Sequence, residues 1–412
     1  MDYTTRTTCR VCGSSDLVPL FSLGSQYVND FLLPGEKPKH RVPIDIEQCT
    51  DCTLVQAKHT APQEFMYSRF YWYRSGVTET MRGILQGIAD LAGGYLQPGD
   101  TVLDIGSNDG TLLRSYPEGM YTTVGVEPAV NLAEEGTKGV DVFINDFWTA
   151  SNYRDHWNYP AKVVTAIGMF YDLEDPNQFI GDIAEVMDED GVFIAQLMCL
   201  YDTVVNRDVG NFSHEHLEFY TFKSLEHLYQ SNGLEIIDVE HNSVNGGSYL
   251  ITARKTSGEV IPLPRAAERI ARVREQELML EDLNTYCKFK QDLLNNKAKT
   301  VTFIKHAKQR GQSVWVYGAS TKGNVILQYY GLNSITITGA AERSPEKYGR
   351  VTVGTNIPIF SEEQARAERP DYFLVLPYAF IDEFVAREQK FLQQGGKFIV
   401  PLPKFTVIGA SR

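Results

Sequence analysis

The chain has 412 residues, a formal net charge of −13 and six cysteines. That length predicts two to four domains with apolar material for more than one core, and the acidity argues against a nucleic-acid or anionic-membrane partner. No apolar run reaches the roughly 18 residues that span a bilayer, and the polar start Met1-Asp2-Tyr3-Thr4-Thr5-Arg6 does not read as a signal peptide, so a cytoplasmic protein, taken as a monomer, is expected.

A reducing compartment disfavours disulfides, so the cysteines need another use. Four of them form two C-x-x-C pairs, Cys9/Cys12 and Cys49/Cys52. Each pair can turn two thiolates toward one tetrahedral ion, and four soft ligands with no open position favour structural zinc. The segment between, with Pro34, Gly35, Pro38 and Pro43, looks too irregular to stand without such a staple. A redox thiol pair is the rival reading; Cys199 and Cys287 read as packed thiols.

Next comes an aromatic run, Phe65 to Gly76, holding Tyr73, Ser75 and the arginines Arg69 and Arg74. Aromatics at this density are usually core. The polar residues among them suggest instead that the segment lies over a site. A helix is predicted from Val77 to about Leu96, and Pro98-Gly99-Asp100 turns the chain into the stretch that organises the rest.

Val102 to Leu113 reads as an apolar strand, a glycine-punctuated turn and a helix start. Gly106 lets the backbone approach a ligand, and Gly110 spares a Cβ near the helix cap. A second strand, Thr122 to Val126, ends at Glu127, where a carboxylate can hold ribose hydroxyls in a doubly wound sheet. A dinucleotide site needs G-x-G-x-x-G, whereas this turn offers Gly106-x-x-x-Gly110 flanked by Asp104 and Asp109. Those carboxylates repel a pyrophosphate but suit a ligand carrying a sulfonium and an ammonium. Here the chain resembles the class I S-adenosylmethionine-dependent methyltransferases, which implies cofactor contacts from Asp104, Gly106, Asn108, Asp109, Gly110 and Glu127. An acidic turn in an ordinary α/β domain is the plain alternative.

The α/β rhythm continues. Asp146 follows a short strand and Phe147 is placed to stack near an adenine; Ile167 to Asp172, including Phe170 and Tyr171, should line the pocket past the fourth strand. A helix (Asn177 to Met187), a turn at Asp188 to Gly191 and a strand (Val192 to Leu197) follow, with Gln196 and Met198 either packed or reaching the site. His214-Glu215-His216 could pair a metal, but no further ligand stands at a motif spacing. A histidine with a neighbouring carboxylate is also equipment for removing a proton. Tyr220 and Thr221 open an amphipathic helix through Tyr229.

Past Pro262-Leu263-Pro264, Ala266 to about Gln309 is charged and mostly helical. A second α/β unit then runs from a strand at Ser313 to Tyr317 into Gly318-Ala319-Ser320-Thr321-Lys322-Gly323-Asn324, a P-loop only superficially because Asn324 stands where lysine is required. Backbone N–H groups there, with Ser320 and Lys322, can still cradle a diphosphate. Glu342, after a strand expected at Ile335 to Ala340, is placed for a ribose, and Tyr378 for the nucleotide. A purely structural lid is the alternative for this unit.

The order of features resembles the three-domain C-methyltransferases of nucleotide-linked 4-keto-deoxysugars. The resemblance covers nearly the whole chain and rests on the paired cysteines, Tyr73-x-Ser75, Asp104 to Gly110, Glu215-His216, and Tyr317 through Gly323. It implies an α/β protein with a zinc-binding N-terminal domain (1–65), a methyltransferase domain (66–255), a helical connector (256–310) and a Rossmann-like domain for the nucleotide sugar (311–412). It implies His216 as the base, oriented by Glu215, with His214 the alternative, and Tyr73 as a residue that bonds the substrate or its enolate. Relatives can carry a histidine at the position of Tyr171 and a tyrosine at that of Ser213, both beside the sugar, so the sugar and the alkylated carbon are the open points. The expected reaction is S-adenosylmethionine-dependent methylation of a dTDP-linked sugar at C3. C5, an O- or N-methyltransferase, and a non-catalytic nucleotide-binding protein are the alternatives.

Overall fold

A computed structural model describes residues 3–62, 64–68 and 71–410, with the side chain of Ser68 left out, so the expected contributions of Arg69 and Phe70 lie outside the described residues. The N-terminal unit is built on a four-stranded antiparallel sheet in the order Glu218–Phe219, Val55–Ala57, Arg41–Cys49 and Leu17–Tyr27. Its edge strand Glu218–Phe219 is thus borrowed from the chain just past His216. Phe31–Leu32 reaches the other way and pairs with Val351–Thr352 of the C-terminal unit. The first unit therefore touches both of the others.

The central sheet has seven strands in the order Leu234–Asn242, Ser248–Lys255, Met187–Met198, Ala161–Ile167, Thr101–Ile105, Thr122–Val126 and Val142–Ile144. The five from Met187–Met198 to Val142–Ile144 run parallel, Ser248–Lys255 runs against them, and Leu234–Asn242, antiparallel to Ser248–Lys255, returns to their direction. Thr101–Ile105 is buried throughout, as a strand covered on both faces must be. The strand order reverses beside it, which puts a crevice at its carboxyl end.

Three local expectations change. The turn after Thr101–Ile105 does not open a helix: it passes into one 3₁₀ turn, Leu113–Ser115, and Tyr116 is extended. Pro117 follows, and the residue before a proline is driven out of helical geometry. The turn expected at Asp188 to Gly191 is extended chain inside Met187–Met198, taken up as a register shift against Ala161–Ile167. The alternating Ile335 to Ile337 is a turn whose N–H groups are gathered by Asn333, and the strand begins later, at Gly339–Glu342.

The C-terminal sheet orders its strands Ile359–Ser361, Gly339–Glu342, Val314–Tyr317, Tyr372–Val375, Lys397–Val400 and Thr406–Ile408, all parallel but the last. Its own reversal lies between Val314–Tyr317 and Tyr372–Val375. The helices Ala266–Glu277 and Leu283–Gln309 connect the two α/β units, and Tyr286, Phe289 and Leu293 of the longer one share a core with Phe21 and Phe212. Among the described residues no helix is long and apolar enough to cross a membrane.

Arg10, between the first two cysteines, fastens the N-terminal unit to the central one. Its guanidinium is fully buried, donates to the Ala57 carbonyl at 2.6 Å and the Thr60 hydroxyl at 2.8 Å, and lies 3.4 Å from Glu174 and 3.5 Å from Glu218. Burial pushes the Glu218 carboxyl well up, against the pull of the neighbouring Arg10. Removing one partner of such a pair leaves the other stranded, at a cost of about 3–5 kcal/mol. Arg10→Met should lower the unfolding free energy measured in urea by that order, and adding Glu218→Gln should recover part of it; additive losses would show that the two do not interact.

Candidate active site

A chamber of about 940 Å³ opens where the carboxyl ends of the central strands face the reversal point of the C-terminal sheet. Asp104, Gly106 and Asn108 form part of its floor. Gly106 sits at φ +70°, and a Cβ there would lie 2.8 Å from the Met169 side chain, so the position demands glycine twice over. Glu127 accepts the N–H of Asn108 at 3.0 Å and of Ala129 at 2.8 Å, which binds the turn to the second strand. Asp104 accepts the Thr165 hydroxyl at 2.6 Å. Burial pushes Asp104 up to about 7 against the pull of Thr165, and burial also raises Glu127. Two buried carboxyls on the floor fit a cationic ligand and not a pyrophosphate.

The aromatic segment is sewn over this floor. The N–H of Ser75 donates to the Asn108 side chain at 3.0 Å, the Asn108 amide donates to the Tyr73 carbonyl at 3.2 Å, and the Gly76 N–H donates to Asp109 at 2.8 Å. Tyr71 and Asn131 exchange a reciprocal pair. Tyr71, Trp72 and Tyr73 line the chamber, the last with its ring half-exposed.

Some expected contacts are absent from the chamber lining. Asp109 is spent on Gly76 and on the Thr111 hydroxyl, and Gly110 packs behind the turn, where a Cβ would meet Arg114 and the Gly136 carbonyl. Both shape the floor from beneath. Phe147 does line the chamber, but Asp146 turns back to accept its N–H. Ile167 and Tyr171 line it, whereas Phe170 is fully buried in the central core, stacked on Tyr220. Gln196 and Met198 both reach the chamber.

The histidine segment divides. His214 points away and donates Nε2–H to the Val42 carbonyl at 2.9 Å, which makes it part of the N-terminal interface; Ser213 is likewise buried outside the lining. His216 lines the chamber, and its Nδ1 lies 2.7 Å from the Asn211 carbonyl. A carbonyl can only accept, so Nδ1 carries the proton and Nε2 is left as the basic nitrogen. The orienting group is therefore this backbone carbonyl and not Glu215, whose carboxylate takes the Asn29 amide at 3.2 Å. Burial, with the Lys322 charge, pushes His216 down to about 3, so the ring is neutral at physiological pH. Tyr171 meets it edge-on, ring centres 4.8 Å apart.

The C-terminal unit supplies the far wall. Ser320, Lys322 and Tyr378 line it, from the two strand ends at the reversal point. Ser320 caps the helix Thr321–Tyr330 by accepting the Gly323 N–H at 3.0 Å, and Lys322 lies 3.8 Å from Asp208. Glu342 does not take part: it accepts the N–H groups of Arg343 and Ser344 and faces Lys347 outside the lining. Asp172 lines the chamber as expected, and Asn29 and Arg350 line it without having been singled out. Asn29 and Arg350 stand in segments that carry no motif.

The four paired cysteines converge. Cys9 and Cys52 bring their sulfurs to 3.4 Å, Cys12 and Cys49 to 3.5 Å, and all four lie within 4.8 Å of one another. Zinc–sulfur bonds of about 2.3 Å in a tetrahedron need sulfurs about 3.8 Å apart, so the set fits a closed zinc site.

If Asp104 faces a cationic donor, binding should follow its ionisation. S-adenosylmethionine affinity should rise from pH 6 to pH 8, by at most about tenfold per unit, as Asp104 loses its proton. Asp104→Asn should weaken binding and flatten that rise. Calorimetry across the range checks it, and an affinity that falls with pH would reverse the assignment.

Three family models tile the chain: "Putative zinc binding domain" over residues 9–67, methyltransferase domain over 74–239, and C-methyltransferase C-terminal domain over 243–403. C-methyltransferase NovU of Streptomyces niveus is 29% identical over 410 residues, 98% of this chain and 97% of that protein. Similar solved structures include an S-adenosylmethionine-dependent methyltransferase from Clostridium acetobutylicum ATCC 824 (13% identity, 45% of this chain and 94% of that one, TM-score 0.34). Magnesium protoporphyrin IX methyltransferase from Synechocystis PCC 6803 is another (14%, 45% and 91%, TM-score 0.35). The chain is an S-adenosylmethionine-dependent C-methyltransferase related to NovU, in which regions matching a zinc-binding domain, a methyltransferase domain and a C-methyltransferase C-terminal domain follow one another.

Proposed function

We propose that the chain methylates a carbon beside the keto group of a nucleotide-linked 4-keto-deoxysugar, with thymidine diphosphate as the carrier and C3 as the carbon alkylated; C5 is the other carbon made acidic by the ketone. The observation that carries this reading is His216, a buried neutral imidazole in the chamber whose Nδ1–H is committed to the Asn211 carbonyl at 2.7 Å. Alkylating oxygen or nitrogen does not require loss of a C–H proton, a difference that deuterium at the reacting carbon distinguishes, and a protein that only binds nucleotides has no use for a base.

Asp104, Gly106, Asn108, Glu127 and Phe147 would hold S-adenosylmethionine, which supplies an electrophilic methyl group when bound. The sugar lies between that floor and the C-terminal wall, its diphosphate at the amino end of Thr321–Tyr330 and near Lys322. His216 Nε2 takes the proton α to the ketone, leaving an enolate whose carbon is the nucleophile. A base held down to about 3 in the free protein is weak, but Lys322 is one cause of that, and a diphosphate beside Lys322 removes part of it. The enolate's own charge then stabilises the imidazolium. Tyr73 and Tyr171 stand on the chamber wall to bond the sugar oxygens.

His216→Asn should keep cofactor affinity and lose roughly two to four orders of magnitude in turnover on a keto-sugar nucleotide, as expected of a general base. With the methyl donor saturating, kcat/KM for the wild type should show no acid limb near the ordinary histidine value of about 6.5, because the free base stays unprotonated well below it. Substrate deuterated at the reacting carbon should lose that deuterium in the product. Deuterium retained through methylation, or near-normal turnover by the variant, would remove the base-assisted reading.

A further inference from the structure

Cys199, read from the sequence as a packed thiol, stands in a different setting. It follows the strand Met187–Met198, caps the helix Leu200–Val205, and is buried. Its thiol donates to Asp202 Oδ2 at 2.8 Å, and His241 Nε2, from the end of Leu234–Asn242, contacts the same carboxylate oxygen. Sulfur and imidazole nitrogen are 3.9 Å apart, and the three ligating atoms lie within 4.8 Å of one another. Three short segments, widely spaced in sequence, therefore bring one soft sulfur, one imidazole and one carboxylate oxygen to a single point.

The backbone makes room for this. Gly247, at φ +131°, donates no side chain: a Cβ there would fall 2.2–2.3 Å from Asp202, so any other residue would drive the carboxylate off the trio. The Gly247 carbonyl accepts the Cys199 N–H at 3.2 Å, fixing the thiol beside it. The order of contacts matters too. In a nucleophilic triad the imidazole would stand between thiol and carboxylate; here the carboxylate stands between the other two. That arrangement does not activate a thiolate, but it is what three ligands drawn together by hydrogen bonds look like without their ion.

We propose that Cys199, Asp202 and His241 form a second metal site, for a zinc-class divalent cation, distinct from the four-cysteine cluster. The donor set is the sulfur, nitrogen and oxygen mixture that zinc accepts, with bonds of about 2.0–2.3 Å that would place the three atoms about 3.3–3.7 Å apart, opening the two contacts to the carboxylate oxygen and drawing sulfur and nitrogen slightly together. Asp202 and His241 keep 17% and 29% of their side-chain surface exposed, so an ion can enter from that side and carry water in the fourth position. Bound there, it would tie the end of Leu234–Asn242 to the start of Leu200–Val205, one residue from Met198, whose sulfur takes the Lys322 ammonium at 3.4 Å on the chamber wall. The site is independent of which sugar the chamber accepts.

The test is metal content per chain on the full-length protein, by elemental analysis and native mass spectrometry after loading with equimolar-range zinc and gel filtration. Wild type should hold two zinc ions; Cys199→Ser and His241→Asn should each hold one, retained by the four cysteines. His241 lies at the exposed rim, so His241→Asn serves as the variant least apt to disturb folding, and native charge states report whether each variant is folded. Cobalt(II) titration adds a second readout: two binding phases in the wild type, with the weaker absent from both variants. One ion in the loaded wild type, two in the variants, or a second ion taken up only at millimolar metal would each overturn the proposal.

Discussion

Two carboxyls buried at the ends of neighbouring strands set the terms for the rest of the molecule. Asp104 and Glu127 sit where water cannot solvate their charge, and burial raises both. Buried carboxyls without a partner are a liability, and a floor built from two of them favours a cation over an anion. The glycine at φ +70° leaves the turn without a side chain beside Met169, Glu127 ties the turn to the next strand, and the aromatic segment is hydrogen-bonded to the same turn from above. A change in the floor would thus reach the roof through Asn108, which bonds to both.

The chamber is not the property of one domain. His216 comes from the chain that immediately afterwards joins the N-terminal sheet as its edge strand, so docking of the zinc-bearing unit fixes where the histidine points. Arg10, through Glu174, and His214, through the Val42 carbonyl, make that docking, which gives a metal staple far from the chemistry its place in the fold. The C-terminal unit closes the opposite side with its own strand-end crevice. Two doubly wound sheets face each other across one cavity, each offering the end at which such sheets bind ligands.

Much of this was legible in the residues. The paired cysteines converge because C-x-x-C spacing leaves them little else to do, and the acid–glycine–acid turn sits where strand periodicity put it. The local failures have local causes. Phe170 and Tyr171 are adjacent and equally aromatic, yet past the strand end one side chain turns into the core and the other into the chamber, a choice that depends on Tyr220 arriving from fifty residues away. His214 and His216 divide for a similar reason: the carbonyls that capture them belong to Val42 and Asn211, and no motif names a backbone acceptor. The resemblance implies that Glu215 orients His216, whereas its carboxylate is taken by Asn29, which lies in the first unit. At Glu342 the carboxylate is consumed by the two N–H groups that follow it.

The central claim is that the floor receives a cationic, methyl-donating nucleoside and not a dinucleotide. Competition calorimetry on the full chain tests it most directly, with S-adenosylhomocysteine and an oxidised nicotinamide dinucleotide offered to the same sample. Saturable binding of the nucleoside, undisturbed by excess dinucleotide, is the expected result. Tight binding of the dinucleotide that displaces the nucleoside, or indifference to the nucleoside altogether, would contradict it.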